Sequence, residues 1–266
     1  MPTIADVVDL DRYPIHELES SDGRAVLERC REALRRDGAL KLDGFLRADA
    51  MPELVAEARD LARLGHPNDA RHNAYFDDEI DTSLPVDDPH RILVRSAQKA
   101  VAMDLLPPTF ATRFAYESDV MTSFVAAVLE EDVLYRSADP LDGCNMTVYE
   151  DGDELGWHFD QSEFSVTLMI QQAERGGEFE YVPMIRSPDN ERYEAVRGVL
   201  EGERDGVVQL GSDPGTLAFF RGRYSVHRVP PVEGNTPRMN SVLTYATRPG
   251  HKLSSMAQQL YYGRTA

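Results

Sequence analysis

Two residues that could bind a metal lie two positions apart in the segment ELGWHFDQSEF, residues 154–164. They are His158 and Asp160, separated by Phe159. Side chains at positions i and i+2 of a strand point to the same face, so both could reach one ion while Phe159 points away. A His-X-Asp triplet also arises by chance, and its significance therefore depends on partners elsewhere in the chain.

A third candidate ligand is His227, in the segment FFRGRYSVHRVPPV. Two imidazoles and one carboxylate on one side of a divalent metal leave three adjacent positions open, which is the arrangement of non-haem Fe(II) oxygenases. Zinc hydrolases can use a similar set, although zinc usually prefers four ligands in a tetrahedron. For the other histidines we predict surface or hydrogen-bonded imidazoles. These are His16, His66, His72, His90 and His251.

Arg238 favours the iron interpretation. It lies eleven residues after His227, at the start of the segment PRMNSVLTYATRPG, and a strand period would place Asn240 and Thr244 on its face. A guanidinium inside a barrel is costly unless it meets a carboxylate, which its planar fork binds through two hydrogen bonds. A dicarboxylate that chelates iron at one end and binds Arg238 at the other would satisfy both groups.

The elements that must position these residues begin near residue 143, where the hydrophobic period changes to two. Turn signals such as Asp151-Gly152 and Gly234-Asn235 separate successive segments, and an insertion at 187–203 indicates a surface helix. We predict strands at 143–150, 155–161, 164–172, 177–183, 206–210, 215–221, 224–232 and 237–247. This series, with helices in front of it, predicts a mainly β fold of the double-stranded β-helix (jelly-roll, cupin-like) type.

The N-terminal part of the chain, residues 1–142, predicts a helical buttress for this barrel. Helical spacing and cap residues indicate helices at 20–38, 48–65 and 117–131, with a short strand at 39–46. Residues 66–108 are polar and punctuated by proline, and we predict that they form a lid-like loop. We expect residues 1–266 to fold as a single domain, with the jelly roll at 143–248 and a C-terminal helix or tail at 249–266.

The composition argues against several classes of partner. The formal charge is −18 and the sequence pI is about 4.7, which disfavours binding to phosphate backbones and anionic membrane surfaces. No run approaches the roughly 20 apolar residues of a membrane helix, and the first residues lack a signal-peptide pattern, so a cytoplasmic location is expected. Cys30 and Cys144 are too few for a disulfide framework. We expect a small-molecule partner, while the oligomeric state stays open.

These segments together resemble the Fe(II)- and 2-oxoglutarate-dependent oxygenases. The similarity lies in WHFD, in VHRVPPVEGNTPR and in the order of the eight strands. It implies that His158, Asp160 and His227 hold Fe(II) and that Arg238 binds the distal carboxylate of 2-oxoglutarate. It also implies a reaction with O2 in which 2-oxoglutarate is decarboxylated to succinate and CO2 while the substrate is oxidised.

A narrower similarity covers nearly the whole chain. The small oxygenases that include the free-amino-acid radical halogenases are similar to it in GCNMTVYEDGDELGWHFDQSEFSVTLMIQ, GGEFEYVP, GTLAFFRGRYSVHRV and the terminal YYGR. Those halogenases carry a small residue such as glycine where this chain has Asp160, which frees a metal position for chloride. The resemblance therefore implies a hydroxylase of a small polar substrate, expected to be a free amino acid or a derivative. Alternatives are a desaturase on the same iron, a hydroxylase of a carrier-bound or peptide substrate, or a catalytically inactive jelly-roll binding module.

One face of the first barrel strand is polar and the other is apolar. We predict that the polar face points inward, because the apolar face would leave little to orient a ligand. The polar face carries Asn145, Thr147 and Tyr149, and the apolar face carries Cys144, Met146 and Val148. For contact with the cosubstrate we predict Asn145, Tyr149 and Thr244 besides Arg238. For contact with the substrate we predict Thr147 and Asn240.

Three further residues lie close to these candidates or in a similar setting. Arg95, in the segment ILVRSAQKA, resembles a position of the relatives that implies contact with the carboxylate of an amino-acid substrate; a surface ion pair is an equally good interpretation. Trp157, beside His158, is predicted to pack in the core between the sheets. Arg228, beside His227, is predicted to face away from the barrel as a solvated surface arginine.

Overall fold

The computed structural model describes residues 3–266. Its helices are α1 (Ile4–Val7), α2 (Ser21–Asp37), α3 (Met51–Leu61), α4 (Ala111–Glu117), α5 (Asp119–Leu129), α6 (Tyr193–Leu200) and α7 (Ser255–Tyr262). Its strands are β1 (Ala39–Leu42), β2 (His66–His72), β3 (Val94–Val101), β4 (Tyr135–Arg136), β5 (Cys144–Tyr149), β6 (Glu154–His158), β7 (Ser165–Gln171), β8 (Arg175–Gly176), β9 (Glu180–Val182), β10 (Val208–Gln209), β11 (Leu217–Phe220), β12 (Val226–Val229), β13 (Val232–Glu233), β14 (Arg238–Leu243) and β15 (Tyr245–Ala246).

Most of these strands belong to one curled antiparallel sheet. Within residues 3–266 it has eleven strands, in the order β1-β11-β7-β14-β5-β3-β6-β12-β9-β10, with β2 paired to β3. Two small sheets add β13 beside β8 and β15 beside β4. Every predicted strand segment overlaps an observed strand, and the predicted jelly-roll class is confirmed.

The register of β5 against β14 decides which face of the sheet points into the barrel. Tyr149 lies opposite Arg238, and Thr147 lies opposite Asn240. Directly paired residues share a face, so the polar side of β5 points toward the same space as Arg238. The apolar side, which includes Met146, belongs to the main hydrophobic core on the other face. The predicted orientation of this strand is confirmed.

The helical buttress covers that apolar face. In α2 the Ser20 side chain accepts a hydrogen bond from Gly23 N at the start, and Gly38 ends the helix with a left-handed φ of 67°. Phe124 of α5 and Phe219 of β11 are fully buried in the same core, with ring centroids 6.2 Å apart. Burying a side chain of this size stabilises the fold by roughly 1.5–3 kcal/mol, so the packing of the helices on this face contributes to the stability of the sheet.

The prediction of a lid-like loop over residues 66–108 is wrong for residues 66–72 and 94–101, which form strands. Strands β2 and β3 pair in register from His66 opposite Ala100 to His72 opposite Val94. The sequence of β2, HPNDARH, is polar on both faces, which gives no hydrophobic period, although its alternate residues are half-buried. Helix α4, which packs against α5, was also missed. Residues 73–93 remain as a connection between the two strands.

The C-terminal segment, for which a helix or a tail was expected, contains α7. Ser254 caps it by accepting a hydrogen bond from Ala257 N, and Gly263 ends it with a φ of 67°. The helix packs against β2 and β3, which places it beside the barrel strands. Within residues 3–266, no helix has the length and apolar character needed to cross a bilayer.

Candidate active site

The three predicted metal ligands come together in the structure. His158 of β6 and His227 of β12 lie opposite each other on adjacent antiparallel strands, with ring centroids 4.1 Å apart. Asp160 follows two residues after His158, and its Oδ1 lies 3.7 Å from His158 Nε2 and 3.4 Å from His227 Nε2. One ligand atom from each residue therefore converges on a common point, all within 4.8 Å of one another.

Backbone carbonyls fix the tautomer of both imidazoles. His158 Nδ1 lies 2.8 Å from Gly156 O, and His227 Nδ1 lies 2.8 Å from Ser225 O. A carbonyl oxygen can only accept, so Nδ1 carries the proton in each ring and Nε2 presents a lone pair. This is the arrangement in which protein imidazoles bind metals, with the second nitrogen held by an outer hydrogen bond.

The protonation states also suit a metal. Burial lowers the pKa of His158 to about 4, with a further contribution from the neighbouring His227, so its ring is neutral near pH 7. Burial raises the pKa of Asp160, but the electrostatic influence of His227 and of His158 outweighs burial and holds that pKa well below its usual range. Two imidazole nitrogens with an ionised carboxylate are a donor set that fits Fe(II).

Arg238 is a buried guanidinium on the inner face of β14. Only 6% of the residue is exposed, and burial lowers its pKa. Its Nη1 donates to Asn240 Oδ1, and its Cζ lies 5.4 Å from the centre of the Tyr149 ring. Among residues 3–266, no carboxylate forms a salt bridge with Arg238, so its positive charge is balanced neither by Asp nor by Glu. Such a group suits an anionic ligand.

Asn240 and Thr147 belong to the surroundings of Arg238. Thr147 Oγ1 donates to Asn240 Oδ1 at 2.9 Å, and the same oxygen accepts from Arg238. Both residues were predicted to contact the substrate, and the structure brings them together with the arginine predicted to bind the cosubstrate. Tyr149 completes this group, and burial raises its pKa to about 12.

Asn145 and Thr244 lie toward the other end of the same face, around a carboxylate that sequence analysis missed. Asp142 is 8% exposed, and its Oδ1 accepts a hydrogen bond from Tyr262 OH at 3.0 Å and a longer one from Asn145 Nδ2 at 3.4 Å. Burial raises the pKa of Asp142 to about 6, against hydrogen bonds from Tyr262 and Thr244 that lower it. Asp142 was missed because it lies just before the first predicted strand.

The C-terminal helix also contributes to this region. Burial, together with the charges of Asp160 and Asp142, raises the pKa of Tyr261. Tyr261 lies in the terminal segment YYGR, whose resemblance to the small oxygenases is the sequence signal that points to this residue.

A hydrogen-bonded chain connects the outer strand β2 to His158, one of the three predicted metal ligands. His72 Nδ1 donates to Asn73 O, which leaves Nε2 to accept from Ser96 Oγ at 2.6 Å. Ser96 Oγ accepts in turn from Gly156 N at 3.0 Å, and Gly156 O accepts a hydrogen bond from His158 Nδ1. His72 was predicted to be a hydrogen-bonded or surface imidazole, and the structure shows it half-buried and hydrogen-bonded beside the site.

Arg95 is the one predicted substrate contact whose side chain the structure places in an ion pair. Its Nε and Nη2 donate to both carboxylate oxygens of Asp69 at 3.0 Å, and its Nη1 lies 3.3 Å from Glu154 Oε1. It is the direct partner of Arg71 in β2 and lies next to Ser96, which points to the opposite face. The surface pair that sequence analysis left open therefore describes Arg95 in this structure.

The predicted exposure of Arg228 is wrong. The residue faces away from the metal ligands, as expected, but its Nε donates to the buried Glu180 at 2.7 Å. Its guanidinium also lies 4.7 Å from the centre of the Trp157 ring. Trp157 packs in a second hydrophobic cluster with Phe159 and Val226, as its predicted core role requires.

The family of the chain follows from its sequence. The model of a family described as Halogenase D matches residues 23–259, a range that includes β6, β12 and Arg238. The chain belongs to the Halogenase D family. None of the curated protein sequences compared with the chain matches it. The predicted resemblance to a group that contains halogenases is confirmed by this membership.

Solved structures similar to this family member share its fold. An oxidoreductase of the 2OG-Fe(II) oxygenase family from Burkholderia pseudomallei is 16% identical, with 84% of this chain and 92% of that chain covered and a TM-score of 0.53. The epimerase SnoN in complex with Fe3+, alpha ketoglutarate and nogalamycin RO is 18% identical, covers 87% and 93% of the two chains and has a TM-score of 0.55. A prolyl-4-hydroxylase from Pseudomonas putida is 16% identical, with coverage of 82% and 98% and a TM-score of 0.51. The chain therefore has the fold of the 2-oxoglutarate/Fe(II) oxygenases, as predicted.

Proposed function

We propose that the protein is an Fe(II)- and 2-oxoglutarate-dependent hydroxylase of a small polar substrate. The observation that carries this proposal is the position of Asp160 Oδ1, 3.7 Å and 3.4 Å from the two imidazole Nε2 atoms. His158, Asp160 and His227 would hold the iron through these atoms. When bound, Fe(II) would supply the redox chemistry by which O2 and 2-oxoglutarate oxidise a substrate C–H bond, releasing succinate and CO2.

The chain's own residues would bind and orient the cosubstrate. Arg238 would bind the distal carboxylate of 2-oxoglutarate, and the Asn240 oxygen that it contacts would keep the guanidinium in one orientation. Burial strengthens this ion pair, because the surrounding dielectric is low and water does not compete for the donors. The Tyr149 ring beside the guanidinium would exclude water from one of its faces.

Asp160 favours hydroxylation over halogenation within this family. A halide can bind the metal only where a coordination position is free of protein ligands. In this chain the carboxylate oxygen lies beside both Nε2 atoms, where it would take that position. We therefore expect that an oxygen atom, rather than a chlorine atom, is transferred to the substrate.

The polar inner face supports a small polar substrate, expected to be a free amino acid or a derivative. Asn145 and Thr147 point into the barrel, and Asp142 places a buried carboxylate at the end of the same strand. An amino or hydroxyl group of a substrate would find acceptors there, whereas an apolar substrate would leave them without partners.

Cosubstrate binding can be tested by anaerobic titration with Fe(II) and 2-oxoglutarate. We expect a weak visible absorption band from chelation of the metal by the 2-oxo acid, and its loss at moderate 2-oxoglutarate concentration in Arg238→Met. The matched control is Arg175→Met, which removes an arginine that is 63% exposed at the side chain and should leave the band unchanged. Absence of the band from the unmodified protein would contradict the proposal and favour a binding module or a zinc enzyme.

The reaction can be tested by screening amino acids and their derivatives for succinate release and for a product that gains one oxygen atom. The screen is run with and without chloride. A chlorinated product would overturn the argument from Asp160. Turnover confined to peptides or carrier-bound substrates would overturn the proposed substrate class while leaving the cosubstrate chemistry intact.

A further inference from the structure

We infer that Gly222 and Ser165 form a slot that holds the Asp160 carboxylate in one orientation, and that the identities of residues 160 and 222 are coupled. The inference rests on the proposed function only in assuming that Asp160 is a metal ligand. It adds two positioning residues: Gly222, which leaves room for the Asp160 carboxylate, and Ser165, which orients it.

Gly222 is required by space. A Cβ placed on this residue would lie 1.9 Å from Asp160 Oδ2, 2.5 Å from its Cγ and 2.9 Å from its Cβ. These three are the nearest heavy atoms, so the obstacle at residue 222 is the Asp160 side chain itself. Gly222 does not have a left-handed φ, so its backbone would accept alanine without strain. The segment between β11 and β12 therefore approaches the carboxylate more closely than any residue with a side chain could.

Ser165 holds the other side of the same oxygen. Its Oγ lies 2.5 Å from Asp160 Oδ2, and because an ionised carboxylate only accepts, the serine donates. The Asp160 backbone N–H donates to Gly222 O at 3.1 Å, which fixes the main chain of residue 160 against residue 222. Oδ2 is thus bound by the serine and packed against glycine, while Oδ1 is the oxygen that lies beside the two imidazoles.

This division of the carboxylate has a consequence for the metal. A carboxylate that binds through one oxygen, with two imidazoles, leaves three positions on a six-coordinate ion, which a chelating 2-oxo acid and O2 would use. If both oxygens bound, one of those positions would be lost. Ser165 and Gly222 therefore favour binding through Oδ1 alone.

The coupling predicts an asymmetric effect of a single methyl group. With Asp160 present, Gly222→Ala should push the carboxylate out of the slot. With Asp160→Gly, the methyl group would enter the space that the carboxylate has left, and Gly222→Ala should have little effect. The two substitutions therefore form a double-mutant cycle with a predicted sign.

The probe for this cycle is Co(II), whose visible absorption reports its ligands without turnover. Anaerobic titration in the presence of 2-oxoglutarate keeps binding measurable in the Asp160→Gly proteins. In the protein that retains Asp160, we expect Gly222→Ala to weaken Co(II) binding by about tenfold or more. In the Asp160→Gly protein, the same substitution should weaken Co(II) binding by less than about twofold. Equal effects in the two backgrounds, or no weakening beside Asp160, would overturn the inference.

Ser165 supplies a second test that does not depend on how Gly222→Ala folds. Ser165→Ala should weaken Co(II) binding by roughly three- to tenfold and alter the absorption band, and Ser165→Thr, which keeps the hydroxyl, should restore both. An alanine variant that binds like the unmodified protein, or a threonine variant as weak as the alanine one, would contradict the role of Ser165.

The outcome is separable from that of the proposed function. The titrations of the Ser165 variants and of Gly222→Ala in the protein that retains Asp160 are repeated without 2-oxoglutarate. Under these conditions only the protein's own ligands bind Co(II). If 2-oxoglutarate never changes the Co(II) spectrum while Gly222→Ala still weakens Co(II) binding, the proposed function is contradicted and the inference about the slot is supported. If 2-oxoglutarate changes the spectrum and Gly222→Ala does nothing, the slot fails and the proposed function stands.

Discussion

Asn240 shows how one neutral side chain can orient a buried charge. Its Oδ1 accepts from both Arg238 and Thr147, and the three residues share the inner face through the register of β5 and β14. A guanidinium has five donors, and any donor left without an acceptor in a buried site carries a desolvation cost. Fixing one donor on Asn240 directs the others toward the space that an anionic ligand would enter.

At the scale of single residues, we predict that Asn240→Ala weakens 2-oxoglutarate binding but leaves metal binding unchanged. Loss of a charge-assisted hydrogen bond that orients Arg238 should cost about 1–2 kcal/mol, or roughly tenfold in Kd. Thr147→Val is the matched control, because it removes a partner of Asn240 but leaves the contact with Arg238, and its effect should stay below about threefold. Anaerobic titration of the absorption band measures both. A larger effect of Thr147→Val than of Asn240→Ala would contradict this assignment.

At the scale of elements, the two strands that carry the histidines are joined on their outer face. Arg228 follows His227 on β12, and Trp157 precedes His158 on β6, with the guanidinium 4.7 Å from the centre of the indole ring. Glu180 of β9 binds Arg228 at 2.7 Å and Arg204 as well, and its side chain is nearly inaccessible to solvent. Burial raises the pKa of Glu180, but hydrogen bonds from the two arginines outweigh it and bring that pKa down to about 2.

We therefore predict that Arg228→Met destabilises the fold and loosens the metal site together. Loss of the cation–π contact and of one partner of Glu180 should lower the free energy of unfolding by about 1–3 kcal/mol. Because the histidines lie one residue away on each strand, Co(II) binding should weaken as well. Arg175→Met, in an exposed pair, is the control and should change the free energy of unfolding by less than about 0.5 kcal/mol. Urea unfolding of the metal-free protein and Co(II) titration measure the two effects. An unchanged Co(II) affinity would contradict the prediction that the Arg228 contacts support the metal site.

At the scale of the whole molecule, α7 is tied to the loop before β5 by two buried carboxylates. Asp139 Oδ2 accepts from Leu253 N at 3.0 Å and from Gln258 Nε2 at 2.7 Å, while Asp142 Oδ1 accepts from Tyr262 OH. These polar contacts determine where the helix lies, because a hydrophobic contact alone has little directional preference. Of the two carboxylates, Asp142 is the one whose pKa burial raises to about 6.

This raised pKa predicts how stability depends on pH. Between pH 4 and pH 6 the folded state keeps a proton on Asp142 that the unfolded state has lost, so the free energy of unfolding falls as pH rises through this window. By pH 7 the cost should reach about 3 kcal/mol. Asp142→Asn removes it, so the stability of the variant relative to the unmodified protein should increase from pH 4 to pH 7. Urea unfolding of the metal-free proteins measures this difference, and a difference that does not change with pH would contradict the prediction.

The sequence by itself predicted the candidate metal ligands, the class of fold and the inner face of the first barrel strand. Alternation along a strand is a local rule, and it placed His158 and Asp160 on one face as candidate ligands. His227 and Arg238 lie in later strand segments, and the resemblance to the 2-oxoglutarate oxygenases implied their roles. The helices at α2 and α3 followed for the same reason, since apolar spacing and cap residues are read within a few turns of chain.

Only the tertiary structure decided the contacts between residues that are distant in the chain. The polar segment HPNDARH becomes β2 because β3 supplies its hydrogen bonds, and Arg95 pairs with Asp69 because that register places the two strands side by side. The close approach of Gly222 to Asp160 and the burial of Asp142 likewise depend on how separate segments pack. No local period encodes these contacts, because the chain forms them only when the sheet curls and brings its distant strands together.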